Sequence, residues 1–161
     1  MKPNNLDIKI LGLLSSQGRM TWSELANQLG LSPPAAADRV KRLEGQGIIT
    51  GYAARLDSER LGLDLTAFIA VTLDQPRHRQ GFLDAVQDNV AILECHHVTG
   101  DDDYLLKVRC GHTRALETLI SDELKALEGV LKTRTLIVLS TVKETLTPPL
   151  EEVKEVKHQP D

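Results

Sequence analysis

Along the first fifty residues the apolar positions recur with helical spacing in three short runs. Leu6, Ile10, Leu13 and Leu14, with Ile8 and Leu11 beside them, keep that period until Ser15-Ser16-Gln17-Gly18 breaks it, which predicts a first helix. Thr21-Trp22-Ser23-Glu24 has the form of a capping box, in which a hydroxyl and a carboxylate three residues apart satisfy each other's orphan backbone N–H groups. Trp22, Leu25, Ala26 and Leu29 continue as a short second helix that stops at Gly30, with Trp22 expected in the core. Ser32 and Pro33 mark a third start, because serine accepts from an orphan N–H and proline at the first helical position gives up a donor that has no partner there. Within that helix Ala36, Val40 and Leu43 make a narrow apolar stripe, while Pro34, Ala35, Asp38, Arg39, Lys41 and Arg42 occupy the opposite arc. One face packs and the other is free to touch something. A short helix, a Gly-containing turn and a third helix with a polar arc predict a helix-turn-helix. Ile48 to Asp57, rich in β-formers and interrupted by Gly51, predicts an extended segment, a wing or a linking strand.

After Leu61-Gly62-Leu63 the period changes. Thr66 to Leu73 alternates as a strand, residues 77–89 carry Phe82, Leu83 and Val86 at helical spacing, and Ala91 to Thr99 and Tyr104 to Cys110 form a hairpin around Gly100-Asp101-Asp102-Asp103. Thr113 to Leu127 places Leu116, Leu119, Ile120, Leu124 and Leu127 on one helical face, and Val130 to Lys143 is the last strand. The order β-α-β-β-α-β is the split-βαβ, ferredoxin-like arrangement with both helices on one sheet face. The chain is therefore α+β: residues 1–50 a winged helix-turn-helix, 51–65 a linking strand and hinge, 66–145 a ferredoxin-like domain, and 146–161 a flexible or partner-stabilised tail. The uncovered sheet face, with Leu93, Ile137 and Leu139 nearby, predicts a dimer.

Charge sharpens this division. Residues 1–60 hold 8 Lys and Arg against 6 Asp and Glu, and residues 61–161 hold 11 against 17, so +2 and −6 make up the net −4. A mildly basic segment followed by an acidic one suits a DNA-facing module joined to a domain that stays off the phosphates. Aromatic residues are only 3% of the chain, too few for a base-stacking platform. No stretch reaches the roughly 18 apolar residues of a membrane span and no signal-peptide core is present, so the expected location is cytoplasmic, with no membrane partner. Cys95 and Cys110 would fall close to opposite each other on the hairpin, which makes a disulfide conceivable, although reduced thiols fit that location better. Adjacent His96 and His97 point to opposite sheet faces, and Asp101-Asp102-Asp103 lacks the spacing of a calcium loop, so no metal, cofactor or catalytic residue is assigned.

For DNA the candidate contacts are Ser32, Pro34, Ala35, Arg39, Lys41 and Arg42: the cations supply phosphate contacts and arginine can also reach guanine edges. The same residues suit a solvated face, with Asp38 and Glu44 pairing locally with Arg42 and Lys41. The Pro33-Pro34-Ala35-Ala36 turn is poor in donors, so base readout is expected to be modest.

Taken together the chain resembles the Lrp/AsnC (feast/famine) transcription regulators over about residues 4–145. The resemblance rests on Leu6-Asp7-Ile8-Lys9-Ile10-Leu11, on Leu25-Ala26 to Leu31-Ser32, and on Arg39-Val40-Lys41-Arg42-Leu43-Glu44 to Gly47-Ile48-Ile49. It continues through Leu61-Gly62, Gly100-Asp101-Asp102-Asp103-Tyr104-Leu105-Leu106-Lys107-Val108 and Thr133-Arg134-Thr135. It implies a regulator that binds pseudo-palindromic promoter sites as a dimer or as a ring of eight or more, with a small amino acid as effector. It also implies an effector site at the contact between dimers, where Gly100, Asp101, Asp103 and Tyr104 match the motif and Leu136, Val138, Ser140 and Thr141 are weaker neighbours. Two alternatives stay open: an architectural DNA-wrapping protein with weak sequence preference, and a tetrapyrrole decarboxylase-like enzyme of the same architecture using His96 or His97.

Overall fold

A computed structural model describes residues 3–153, which divide into two compact units, one of residues up to Arg55 together with Lys143 onward, the other Leu56–Val142. In the first unit α1 spans Asn5–Ser16, α2 Trp22–Leu29 and α3 Pro33–Gly45. The starts are set by side chains. Asn4 accepts the N–H of Asp7 while the Asp7 carboxylate accepts that of Asn4, and Thr21 and Glu24 repeat the exchange. That backbone bond holds the Glu24 carboxyl below its usual range. α2 ends on Gly30 at φ 67°, a left-handed conformation that costs other residues about 1–2 kcal/mol. Ile10, Leu14, Leu25, Ala26, Ala36, Val40 and Leu43 form the core, so the stripe expected on α3 is the face that packs.

Trp22 departs from expectation: it is 44% exposed. It occupies the first position of α2, where a side chain points back past the helix end, and the core begins at Leu25. No strand forms over residues 48–58 among the described residues. Bends at Ile48 and Ile49 lead into an irregular stretch, and the Tyr52 hydroxyl donates to Glu44 Oε1 at 3.0 Å. Partial burial and that carboxylate push the Tyr52 phenol up to about 12. In the tail, a turn at Leu150–Glu152 packs with α1, where Leu150 Cδ1 lies 3.8 Å from the place a β-carbon on Gly12 would take.

The second unit contains β1 (Leu65–Leu73), α4 (Arg79–Asp88), β2 (Ile92–His97), β3 (Tyr104–Cys110), α5 (Thr113–Thr118) and β4 (Val130–Ile137). The strands form one antiparallel sheet in the order β2-β3-β1-β4, as a ferredoxin-like domain requires. Ala67, Ile69, Val71, Tyr104, Leu106 and Val108 face Phe82, Val86, Leu116, Leu119 and Leu124, which puts the helices on one side of the sheet. Phe68, Ala70, Leu105, Lys107, Arg134 and Leu136 share the other.

Three details differ from the sequence reading. The expected helix to Leu127 is α-helical only to Thr118; Leu119–Leu124 is a π-turn, closed by a 2.9 Å bond from Lys125 N–H to Ile120 O. Leu119 and Leu124, both buried, stand five residues apart, and the wider turn lets both reach the sheet. β4 ends at Ile137, not Lys143: Leu139 and Val142 have strand composition but lie beyond the pairing and are almost fully exposed. The hairpin register places Cys95 opposite Leu106 and Cys110 opposite Leu65, so both thiols are free, Cys110 buried and Cys95 half-buried. The loop runs from Val98 to Asp103, closed by Val98 N–H to Asp103 O at 3.0 Å, which moves its centre toward β2 and separates the cysteines. Gly129 precedes β4 at φ 86°, where a β-carbon would overlap the His78 ring. That ring bridges Asp74, at 2.6 Å from Nδ1, and Glu128, at 3.4 Å from Nε2.

Candidate functional site

On α3 the six expected contact residues separate into distinct environments. Ser32 and Pro34 are exposed at the leading turn and Ala35 is half-buried. Pro33 and Pro34 have no N–H, and the Ala35 N–H is taken by the Ser32 hydroxyl at 3.4 Å. The helix start therefore has almost no backbone donors left for an anion. Lys41 is exposed and makes no ion pair among the described residues.

Arg39 and Arg42 also make a tertiary contact. Arg39 Nη1 reaches Asp7 Oδ1 at 3.0 Å, and Arg42 Nη2 reaches both Asp7 oxygens at 2.8 and 2.9 Å. The Asp7 side chain is only 4% exposed, against 29% and 43% for the two arginines. One buried carboxylate on α1 thus holds two guanidiniums of α3. The local pairing with Asp38 or Glu44 that sequence spacing allowed is replaced by a tertiary one. Nothing in local spacing points to it, because the partners are more than thirty residues apart.

The acidic turn borders a cavity of about 340 Å³ on the helix-free face of the sheet, lined by Ala70, Val98, Thr99, Asp101, Asp102, Leu105 and Arg134. Asp102 Oδ2 accepts from Arg134 Nη2 at 2.7 Å and Asp102 Oδ1 accepts from the Thr72 hydroxyl at 3.2 Å. Arg134, then Thr72, hold the Asp102 carboxyl below its ordinary value. It is ionised at neutral pH. Arg134 is 55% exposed, so its remaining donors face solvent at the cavity.

Of the residues expected at an effector site, Asp101 lines the cavity and Gly100 belongs to the same turn. Asp103 turns away: its carboxylate accepts the Leu73 N–H at 2.7 Å and its own N–H donates to Val71 O at 2.9 Å, extending the sheet. Tyr104 is buried on the helix-covered side between Phe82 and His97, with ring centroids 4.9 and 5.1 Å away. Leu136 shares the open face with Arg134 without lining the cavity, Val138 bonds to Thr66 O, and Ser140 and Thr141 follow the end of β4. Asp102 and Arg134, which line the same cavity, are not among the expected residues. Alternation along β4 puts Arg134 on the face of Leu136, and that signal could have found it. His96 and His97 do fall on opposite faces, the first beside Glu94 at 3.1 Å and the second stacked on Tyr104.

Fold and sites together define a two-part protein with a helix-turn-helix reading unit and a separate ligand-binding unit. A winged helix-turn-helix DNA-binding profile matches residues 3–50, and the Lrp/AsnC ligand binding domain matches residues 66–148. The leucine-responsive regulatory protein of Klebsiella pneumoniae is 41% identical over 144 residues, 88% of each chain, and that of Haemophilus influenzae 42% over 142, 87% of this chain and 86% of its own. Among solved structures, a Neisseria meningitidis transcriptional regulator in complex with L-methionine superposes with a TM-score of 0.90 at 35% identity, covering 93% of this chain and 98% of that one. The M. tuberculosis feast or famine regulatory protein complexed with L-methionine gives 0.80 at 36%, covering 88% and 97%. The chain belongs to the Lrp/AsnC family of DNA-binding transcriptional regulators.

Proposed function

We propose that the protein reads promoter DNA with α3 and that an amino acid bound in the cavity beside residues 98–102 modulates it. The observation that carries the effector reading is the Asp102–Arg134 pair at a cavity of about 340 Å³. A free amino acid is a zwitterion: Arg134 offers donors to its carboxylate, Asp101 and Asp102 offer acceptors to its ammonium, and Ala70, Val98 and Leu105 offer an apolar wall to its side chain. L-methionine in the Neisseria and mycobacterial relatives supports an apolar side chain as the preferred class.

For DNA, the outer arc of Ser32, Pro34, Ala35 and Lys41 is the main contact surface, with Arg39 and Arg42 held by Asp7. The donor-poor start of α3 favours modest base readout, and so keeps the weakly selective, DNA-wrapping reading as the second choice. Phe68 and Leu136 on the open sheet face support pairing of two copies, which would present two α3 helices to half-sites about one helical turn apart; larger rings build on such dimers. Such a regulator works in the cytoplasm, where promoter DNA is.

Calorimetric titration with L-methionine and a panel of amino acids tests the effector site. Binding of an apolar amino acid that Arg134→Gln weakens supports it; no binding by any amino acid sinks it. Competition by random DNA separates the two DNA readings.

A further inference from the structure

Asp7 is the only buried charged residue among the described ones, and its position is unusual for a protein that must attract phosphate. It engages two of the three cations on α3: Arg39 and Arg42, 29% and 43% exposed, each donate to it through one terminal nitrogen, and Lys41 makes no ion pair among the described residues. Its fourth bond, from the Asn4 N–H at 3.1 Å, ties the carboxylate to the start of α1. Every partner is therefore fixed by a helix of the same unit. A DNA phosphate that drew either guanidinium away from Asp7 would leave part of a desolvated carboxylate uncompensated, and that penalty opposes the exchange.

We infer that Asp7 is a specificity-determining residue for DNA: it acts as an internal stand-in for a phosphate, keeping Arg39 and Arg42 from binding any duplex indiscriminately. It is a positioning residue, acting through the two arginines. Non-specific affinity comes almost wholly from cations on phosphates, and each such contact adds about 0.9 to the slope of log affinity against log salt. With Asp7 in place the two guanidiniums add no phosphate contacts. Without it both are released, non-specific binding rises, and the ratio of specific to non-specific affinity falls. This rests on the DNA-binding reading of α3.

The experiment measures affinity against salt for the full chain on two duplexes of equal length, one selected from genomic fragments by the wild-type protein and one of random sequence. Asp7→Asn, near in shape, is expected to steepen the slope on random DNA by up to about 1.8 for each α3 engaged and to lower the selected-to-random ratio. Adding Arg39→Gln and Arg42→Gln should return the slope to wild type, which loss of fold would not do. Should Asp7→Asn fail to fold, single substitutions decide with Asp7 intact. Lys41→Gln should flatten the slope by about 0.9 per helix, and Arg39→Gln should leave it unchanged. A folded Asp7→Asn protein with unaltered slope and ratio, or an Arg39→Gln slope flattened as much as that of Lys41→Gln, overturns the inference. If the wild-type protein binds neither duplex at low salt, the DNA reading itself fails.

Discussion

The two units each contain an aspartate gripping arginine, and the grips differ in what surrounds the acid. Asp7 is buried, holds two guanidiniums and accepts a backbone N–H besides, so all its partners are inside the unit. Asp102 holds one guanidinium that is 55% exposed, beside a cavity. The bond lengths are nearly the same, 2.8 and 2.7 Å. Similar ion-pair geometry thus suits a rivet where the acid is desolvated and, on the proposed effector reading, a reading head where the arginine borders a cavity. Burial, rather than distance, separates the roles.

The contrast breaks most visibly at Asp7. Asp7→Ala removes the acceptor of two part-exposed arginines and should destabilise the first unit by about 1.5–3 kcal/mol in chemical denaturation. A change within experimental error would reduce the rivet to a surface pair. Arg134→Gln should do the opposite: denaturation stays close to wild type while amino-acid affinity falls about tenfold or more, the scale of one lost charge-assisted hydrogen bond. An equal loss of stability at both sites would erase the distinction.

Acid sharpens it further. The folded-state carboxyl of Asp102 titrates below its ordinary 3.8, so its pairing is complete above that value and is lost only as pH falls through the depressed one. Effector affinity should therefore be flat from about pH 5 to 8 as far as this pair is concerned. A midpoint near neutrality would assign the response to another group. The smallest effect belongs to Tyr52, whose phenol titrates near 12 against 10.0 when free. Its hydrogen bond to Glu44 contributes fully below pH 10 and disappears as pH rises through 12, and Tyr52→Phe should cost about 0.5–1.5 kcal/mol at neutral pH.

What could be read from the chain follows from the range of the forces involved. The helix starts at Trp22 and Pro33 are set by neighbours within three residues, and the stripe Ala36, Val40, Leu43 by periodicity, so those caps and the packing face were legible, whereas the Asn4–Asp7 box at the start of α1 was not read. The βαββαβ order was legible for the same reason. The hairpin register was not, because Asp103 is held by Leu73 and Val71 on a strand thirty residues away. The end of β4 was not, because Leu139 and Val142 satisfy strand propensity without a pairing partner. At the candidate sites, the exposure of Lys41 and the acidic turn follow from local pattern, whereas the pairing of Arg39 and Arg42 with Asp7 and the meeting of Asp102 with Arg134 are tertiary events.

Leu150, packed with α1 from the far end of the chain, gives the reading unit two separate stretches of sequence. Exchange of reading heads between family members, by recombination or by design, cannot therefore be a single cut near residue 55. The donor must supply its closing turn along with its helices, or α1 of the hybrid keeps a bare patch at Gly12.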